Sequence, residues 1–562
     1  MLEFAKDKKL WETIRTSPAY ERHRREVLEK YEQVWQVPTP VLSYWQVVGD
    51  EDNGEVGRIL YNRGFQLYTT AILALIYPDN QEYFRRLVDT LWNYCNECTW
   101  AVGDFKDYYG VGRHDYFPGL IDIGSASLGM TLAEIKYLFS DRLPQYLIDR
   151  LSAELRRHII EPYLNNRFFW EWHDNNWTSV CAGGVGVVLM YEDPKTFYAM
   201  KSRLDASMKC YLDSFAEDGV CVEGSAYWGF GFGFYVNYAW LLREFTGGRE
   251  DLFQKPKVKA IAQFMQKIVL DQHVLVTFSD VNPTEGYWIG MPHLLKDVYG
   301  DEMEKLPADI ATITVYQHFS FMLRCFIFYK PEYNATELDR NVTYVMKDKG
   351  WITKRTPNYS FAAKGGHNGE SHNHIDVGNF IFVRGDKQII CDMGAGSYSN
   401  GYHGKNRYNH FAPSAYAHNL PIYDGVGQSP IMQKAVIIDY DEASNTAHCE
   451  FARTYVNPKL KRLDRTFAFK ENGIHITDQH EYEGETITER FLTAIPPRQE
   501  GNKIYIEDVV LTAADGTVPR ISVEKHHNHI QRPGWPEYTD VYCMDYTLPK
   551  GERTFTLKVE IV

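Results

Sequence analysis

The spacing of apolar residues changes period once along these 562 residues, and that change constrains the fold more than any other feature. Up to about residue 335 the apolar positions recur every three or four residues. In EYFRRLVDTLWNYCNEC, for example, Phe84, Leu87, Val88, Leu91, Trp92 and Cys95 share one helical face. Segments such as RILYNRGFQLYTTAILALIY, SASLGMTLAEIKYLFS and GFYVNYAWLLREFTGG repeat the pattern, separated by short Gly-, Pro- or Asp-rich joints. Helices in series with short joints predict stacked hairpins, in a solenoid or an α/α toroid. Past the polar stretch Lys330–Arg355 the period becomes two. RTFAFKENGIHIT puts Phe467 and Phe469 on one face, turns at Asn472-Gly473, and puts Ile474 and Ile476 on one face. NFIFVRGDKQIICD does the same around Gly385-Asp386, so an antiparallel β-sandwich is expected. The domains expected are 1–335, helical, and 336–562, sandwich.

The net charge of −14 argues against nucleic acid as the main partner, because phosphate binding needs a basic surface. It leaves room for an anionic ligand in a cleft lined locally by Arg and His. Aromatic content is high at 15%, and flat rings stack on sugars as well as filling cores. The N-terminal stretch lacks a signal-peptide core and no apolar run reaches membrane length, which gives the expectation of a cytoplasmic protein with no membrane partner. Self-association stays open. Cys95 and Cys98 form a CxxC inside a helical pattern, without the strand-to-helix context or second pair of a redox or zinc site, so they are expected as core thiols.

Three stretches look unlike scaffold. WEWHDNNWTSVCAGG holds Asn175 and Asn176 where a helix begins, and capping accounts for one of them. EDGVCVEGSAYWGFGFGFY surrounds Glu223, Tyr227 and Trp228 with glycines that allow close backbone approach. The third runs from Glu370 to about Gln428 and contains SHNHIDVGNF, CDMGAGSYS, NRYNH and SAYAHNLPIYDG. Its His and Asp residues suit an N/O metal site or a hydrogen-bonded core cluster. EKHHNHIQRP, with His526, His527 and His529, reads as a polar loop.

Taken in order, NNW…VCAGG, DG…VEGSAYW, SHNHIDVGNF and AHNLPIYDG resemble the heparinase II/III-like polysaccharide lyases. The resemblance implies an N-terminal incomplete (α/α) toroid followed by a C-terminal antiparallel β-sandwich, with the cleft between them. It implies β-elimination from a uronic-acid-containing glycan, leaving a 4,5-unsaturated uronate, on an anionic oligo- or polysaccharide. Asn176 then contacts the uronate carboxylate, and Tyr227 and His372 are the catalytic Tyr and His. His374, Asp392 and His418 match the ligands of a Zn2+ that orders the site. Where some members have His after the Asn, this chain has Trp177, so His173 is the stand-in considered. Further substrate-binding candidates are Arg113, His114, Tyr116, Glu223 and Tyr408. Alternate residues of a strand share a face, so His372 and His374 do different work only if the chain bends between them. That bend is expected. The competing readings are a glycoside hydrolase on the same architecture, which needs a second carboxylate opposite Glu223, an iron site using His374 and Asp376, and a non-catalytic glycan-binding protein.

Overall fold

The structure, a computed structural model, describes residues 1–38, 46, 53–102, 119–282, 286–312, 318–398, 402, 404, 406–430, 436–528, 537–548 and 554–562. The substrate-binding candidates Arg113, His114 and Tyr116, together with His529, lie outside the described residues.

Among the described residues up to Ile327 the chain is mostly helical, with short strands at Val269–Asp271, Val274–Leu275, Tyr287–Trp288 and Ala311–Thr312, and two kinds of helix stand out. Gln81–Cys95 is amphipathic. Asn80 caps it by accepting from the N–H groups of Glu82 and Tyr83, and Leu87, Leu91, Tyr94 and Cys95 form its buried stripe. Ile123–Leu138 and Asn176–Glu192 are buried almost all round, which makes them inner helices with others packed outside. The two inner helices pack on each other, and a Cβ at Gly184 would lie 2.5 Å from the Ala126 carbonyl oxygen. Asn176–Glu192 also packs on Pro194–Asp213 and Gly233–Phe245, continuing the hairpin series. The last helix, Phe319–Ile327, returns to pack on Asn53–Ile76 and Ile123–Leu138. There the fully buried Arg324 and Glu134 pair at 2.6 Å, so the charge that interrupts this apolar helix is paired across the ring. Cys95 is a core thiol as expected. Cys98 is exposed, because the helix ends at Cys95 and leaves it in the following loop.

Among the described residues, the strands from Val342 onward pair antiparallel, in three sheets. The eight-stranded sheet is centred on Leu460–Lys470, Gly473–Tyr482 and Thr554–Ile561. One core joins it to a five-stranded sheet (Val342–Met346, Trp351–Arg355, Ser360–Lys364, Phe380–Arg384, Lys387–Ile390) and a four-stranded sheet (Pro421–Tyr423, Ile487–Thr493, Tyr538–Leu548, Arg520–His527). Phe467 and Phe469 face Ile476 and Ile474 across the hairpin in that core. The turn itself is Glu471-Asn472, one residue earlier than expected, because Gly473 at φ 149° already pairs with Lys470.

The five-stranded sheet is buried on both faces. Phe361, Ala363, Phe380 and Phe382 point into the sandwich core, while their neighbours Ala362, Ile381 and Val383 join the core of the helical half. That is why FIFV reads as an unbroken apolar run. It also means that chain leaving this sheet emerges against the helical ring, where the third polar stretch sits.

Inside the sandwich, Arg465 forks onto Asp478 at 2.5 and 2.8 Å and lies 3.6 Å from Glu489, and His480 lies 2.9 Å from Glu489. The cation that this acidic cluster needs is therefore Arg465. Burial, and next the Asp478 charge, raise the Glu489 carboxyl to about 7 from 4.5. A raised carboxyl binds its proton more tightly when folded. Its contribution is therefore complete below about pH 4.5 and is lost as the pH rises through about 7. Unfolding curves over that window should show the wild type losing stability with rising pH relative to Glu489→Gln, which carries no such proton.

Candidate active site

The site forms where three loops meet. The first follows Gly224. Ser225–Tyr227 opens a helix that continues through a wide turn at Trp228–Phe232 into Gly233–Phe245, so Tyr227 sits on the first turn, facing the sandwich. The second loop, Thr277–Asn282, carries the buried Asp280. The third leaves the five-stranded sheet after Lys364 and carries Ser371 to Asp376.

Tyr227 and His372 stack with ring centroids 4.1 Å apart and planes at 29°. One ring comes from the helical half and the other from the sandwich. His372 Nδ1 lies 3.0 Å from Asp280 Oδ2, and His374 Nε2 lies 3.0 Å from Asp280 Oδ1. His372 adopts φ 50°, a left-handed backbone unusual for a side-chain-bearing residue. The turn is held by Arg407, which donates to the carbonyls of His372 (3.1 Å) and Asn373 (3.0 Å). With the chain bent at His372, that ring reaches Tyr227 while the His374 ring lies buried beside His418, 5.3 Å between centroids.

Asp280 is the junction of the site. It also accepts from Arg407 Nη2 at 2.8 Å and from the Tyr402 hydroxyl at 3.0 Å. Burial alone would raise its carboxyl. The hydrogen bonds of His372 and His374, with the charges of His374 and Arg407, outweigh burial and hold it well below the usual carboxylate range. Burial pushes the Tyr227 phenol above its ordinary range, and the Asp280 charge adds to this. A hydrogen bond from Tyr398 and the Arg407 charge act the other way.

Asn175 caps the helix by accepting from the Trp177 N–H at 3.0 Å, which leaves Asn176 to point inward. Its Nδ2 donates to Glu223 Oε2 at 3.3 Å. Gly231 permits this packing, since a Cβ there would stand 2.9 Å from that of Asn176. Asn176, Glu223, Tyr227 and Ser371 line one cleft with Asp174, Asn175 and Tyr211. Glu223 spends its carboxylate on the amide of Asn176. Two of the other candidates lie apart. His173 is half exposed and pairs with Asp174 at 3.6 Å, because its position precedes the helix cap and turns outward. Tyr408 bonds the Asn373 side chain and so supports the turn from behind.

His374, Asp392 and His418 bring one ligand atom each within 4.8 Å of one another, all buried. Nδ1 of His374 and Nε2 of His418 have no hydrogen-bond partner. Asn379 donates to Asp392 at 2.6 Å. Unpartnered imidazole nitrogens around a carboxylate, with the other nitrogen of His374 on a second carboxylate, are the donor set and outer support that a divalent N/O-site cation requires. Asp376 is not part of it. That carboxylate pairs with the buried Lys364 at 2.7 Å, which removes the basis for an iron site using His374 and Asp376.

Sequence reading missed Asp280, Arg407, Tyr402 and Tyr398. Arg407 and Tyr398 fall inside the quoted NRYNH and CDMGAGSYS stretches. Asp280, in TFSDVNP, carries no local signal.

The Asp280 loop is clamped by two glycines. A Cβ at Gly224 (φ 95°) would stand 2.2 Å from Val281 Cγ2, and one at Gly394 (φ 62°) would stand 1.9 Å from the Val281 carbonyl oxygen. Gly394→Ala therefore meets both backbone strain and a collision. A loss of more than about 1 kcal/mol in denaturant unfolding is expected, with a larger loss of turnover because Asp280 and Asp392 shift together.

Residues 344–531 match the family model described as Heparinase II/III-like, C-terminal. Over this segment the chain is similar to the heparinase II/III-like family. The fold agrees along the whole chain with solved structures of this kind. A structure of heparinase III aligns at TM-score 0.65 and 13% identity, covering 100% of this chain and 92% of that one. Heparan sulfate lyase HepC from Pedobacter heparinus aligns at 0.59 and 14%, covering 99% and 85%. Chondroitin AC lyase of Streptomyces coelicolor A3, in complex with chondroitin sulphate, aligns at 0.57 and 11%, covering 98% and 82%. At these identities the likeness establishes the architecture, a toroid of helices followed by an antiparallel sandwich. No curated protein sequence matches the chain.

Proposed function

We propose that the protein is a polysaccharide lyase that cleaves uronic-acid-containing glycans by β-elimination and leaves a 4,5-unsaturated uronate. The observation that carries this reading is the Tyr227–His372 stack, a phenol from the toroid and an imidazole from the sandwich meeting beside Asn176. Two structural relatives, a heparan sulfate lyase and a chondroitin AC lyase, agree with it.

Elimination removes the proton at C5, next to the carboxylate, and expels the C4 oxygen. An amide offers two N–H donors. Glu223 takes one from Asn176 and so aims the other at the uronate carboxylate, where it stabilises the enolate-like transition state. Asp280 fixes the Nδ1 side of His372, so Nε2 is the nitrogen that takes the C5 proton. Tyr227, kept protonated by burial, is matched to delivering a proton to the departing oxygen. His374, Asp392 and His418 would hold a divalent cation, zinc by their chemistry, which would supply order rather than reaction chemistry. His374, held there, bonds Asp280, which in turn bonds His372 at the turn.

A hydrolase needs two available carboxylates. Asp280 has both oxygens engaged and Glu223 serves Asn176, which leaves Asp174, among the described residues, as the one other carboxylate lining the cleft and favours the lyase reading. The test is a panel of heparan-, chondroitin- and alginate-type oligosaccharides followed by ultraviolet absorbance. An absorbing product with at least one of them is expected. Reducing ends without absorbance would favour hydrolysis, and binding without turnover a glycan-binding protein.

A further inference from the structure

The described part of EKHHNHIQRP, as far as His527, is strand rather than polar loop. Arg520–His527 is a strand paired with Tyr538–Leu548, and His526 lies opposite Thr539. Of the residues in this strand His526 alone is buried, with 1% of its surface exposed. The partner strand alternates Thr539, Val541 and Cys543 on the same side, and Val541 and Cys543 pack against Cys391 and Met393, the neighbours of Asp392. The chain after Asp392 is tied to the same place, since Ser397 N–H donates to the His527 carbonyl at 2.9 Å and Gly396 bridges Asn528.

The His526 ring bonds the backbone of Ala395 and feels the charges of His374 and Asp392. Its Nδ1 has no hydrogen-bond partner, like Nδ1 of His374 and Nε2 of His418. A buried imidazole nitrogen with nothing to bond is costly. Two of them flank the Asp392 carboxylate, the third sits on the strand tied to the chain just after Asp392, and one cation would satisfy all three.

We infer that His526 is the fourth protein ligand of the cation held by His374, Asp392 and His418, closing a four-coordinate His3Asp site. In this structure His526 stands outside the group of three whose ligand atoms lie within 4.8 Å of one another, so its ring moves inward on binding. Ligation through Nδ1 leaves the other nitrogen on Ala395, just as His374 keeps its Nε2 on Asp280, the outer support that ligating histidines ordinarily have. Four protein ligands leave no position for water or substrate, which makes the cation structural. The inference deepens the metal assignment within the proposed function, and its test uses no substrate.

Purified full-length protein is stripped with a chelator. Zn2+ affinity is then measured by chelator competition, and Co2+ geometry by visible absorption, in wild type, His526→Ala, His526→Cys and the exposed neighbour variant His527→Ala. Wild type and His527→Ala should bind Zn2+ equally and give the intense visible bands of four-coordinate cobalt. His526→Ala should weaken Zn2+ binding by at least about 10-fold and lose those bands. His526→Cys keeps a ligand at that position and adds a thiolate-to-cobalt charge-transfer band, so it decides the matter if the alanine variant does not fold. Unchanged affinity and spectrum in His526→Ala, no charge-transfer band in folded His526→Cys, or no cation binding by wild type would overturn the inference. A protein that binds the cation in this way but produces no unsaturated uronate would fail the lyase proposal and leave the site standing.

Discussion

Tyr227→Phe should fold as the wild type does and lose about 10²- to 10⁴-fold in turnover. The substitution keeps the ring that stacks on His372 and deletes only the hydroxyl, the group proposed to deliver the proton to the leaving oxygen. It also removes the acceptor of the Tyr398 hydrogen bond, an effect of about 1 kcal/mol on stability. Substrate affinity, read by calorimetry with a resistant oligosaccharide, should change little, because the proposed carboxylate contact of Asn176 is untouched. A variant with wild-type turnover would remove the phenol from the chemistry. A variant that binds nothing would make Tyr227 a binding residue.

Asp280→Asn should damage both stability and turnover. The carboxylate accepts from two imidazoles, a guanidinium and a phenol. An amide of the same shape presents an N–H to at least one of those donors and leaves Arg407 buried without its counter-charge. Breaking one side of a buried ion pair costs about 3–5 kcal/mol, measurable by denaturant unfolding. Turnover should fall by about 10²- to 10⁴-fold if His372 is the proposed base, because it loses the partner that orients its ring. Tyr402→Phe is the calibrating variant. It removes one of the four donors, should cost about 1 kcal/mol, and should keep most of the turnover. Equal losses of activity in the two variants would show Asp280 to be a packing residue only.

These expectations separate what the sequence makes legible from what it does not. The change of period places the helical ring and the sandwich, and the alternation at Phe467, Phe469, Ile474 and Ile476 predicts the core face of that hairpin before any register is known. The bend at His372 is legible too, as a conflict between a strand's two-residue period and two histidines with different partners; the structure resolves it by a left-handed residue. Local chemistry carries such readings because both ends of each argument lie within a few residues. Asp280 fails that condition. It lies 92 residues from His372, and nothing near it separates it from a surface loop aspartate. His526 fails for a related reason. Its strand is at a sheet edge with exposed neighbours, so its composition is that of a loop, and only the packing of Asp392 from another part of the chain makes the position an interior one. Glu223 shows a third case, in which the right residue suggests the wrong partner. Its carboxylate accepts from the side-chain amide of Asn176, and in the proposed mechanism it acts by aiming that amide.

The central claim is that a phenol and an imidazole converge on one uronate to eliminate across its C4–C5 bond. The most direct measurement is mass spectrometry of products formed in heavy-oxygen water, alongside ultraviolet absorbance, with the best oligosaccharide of the panel. The account predicts an absorbing product lighter by one water than the hydrolytic fragment, with no heavy oxygen at the new reducing end. Heavy oxygen at that anomeric carbon, without absorbance, would contradict it.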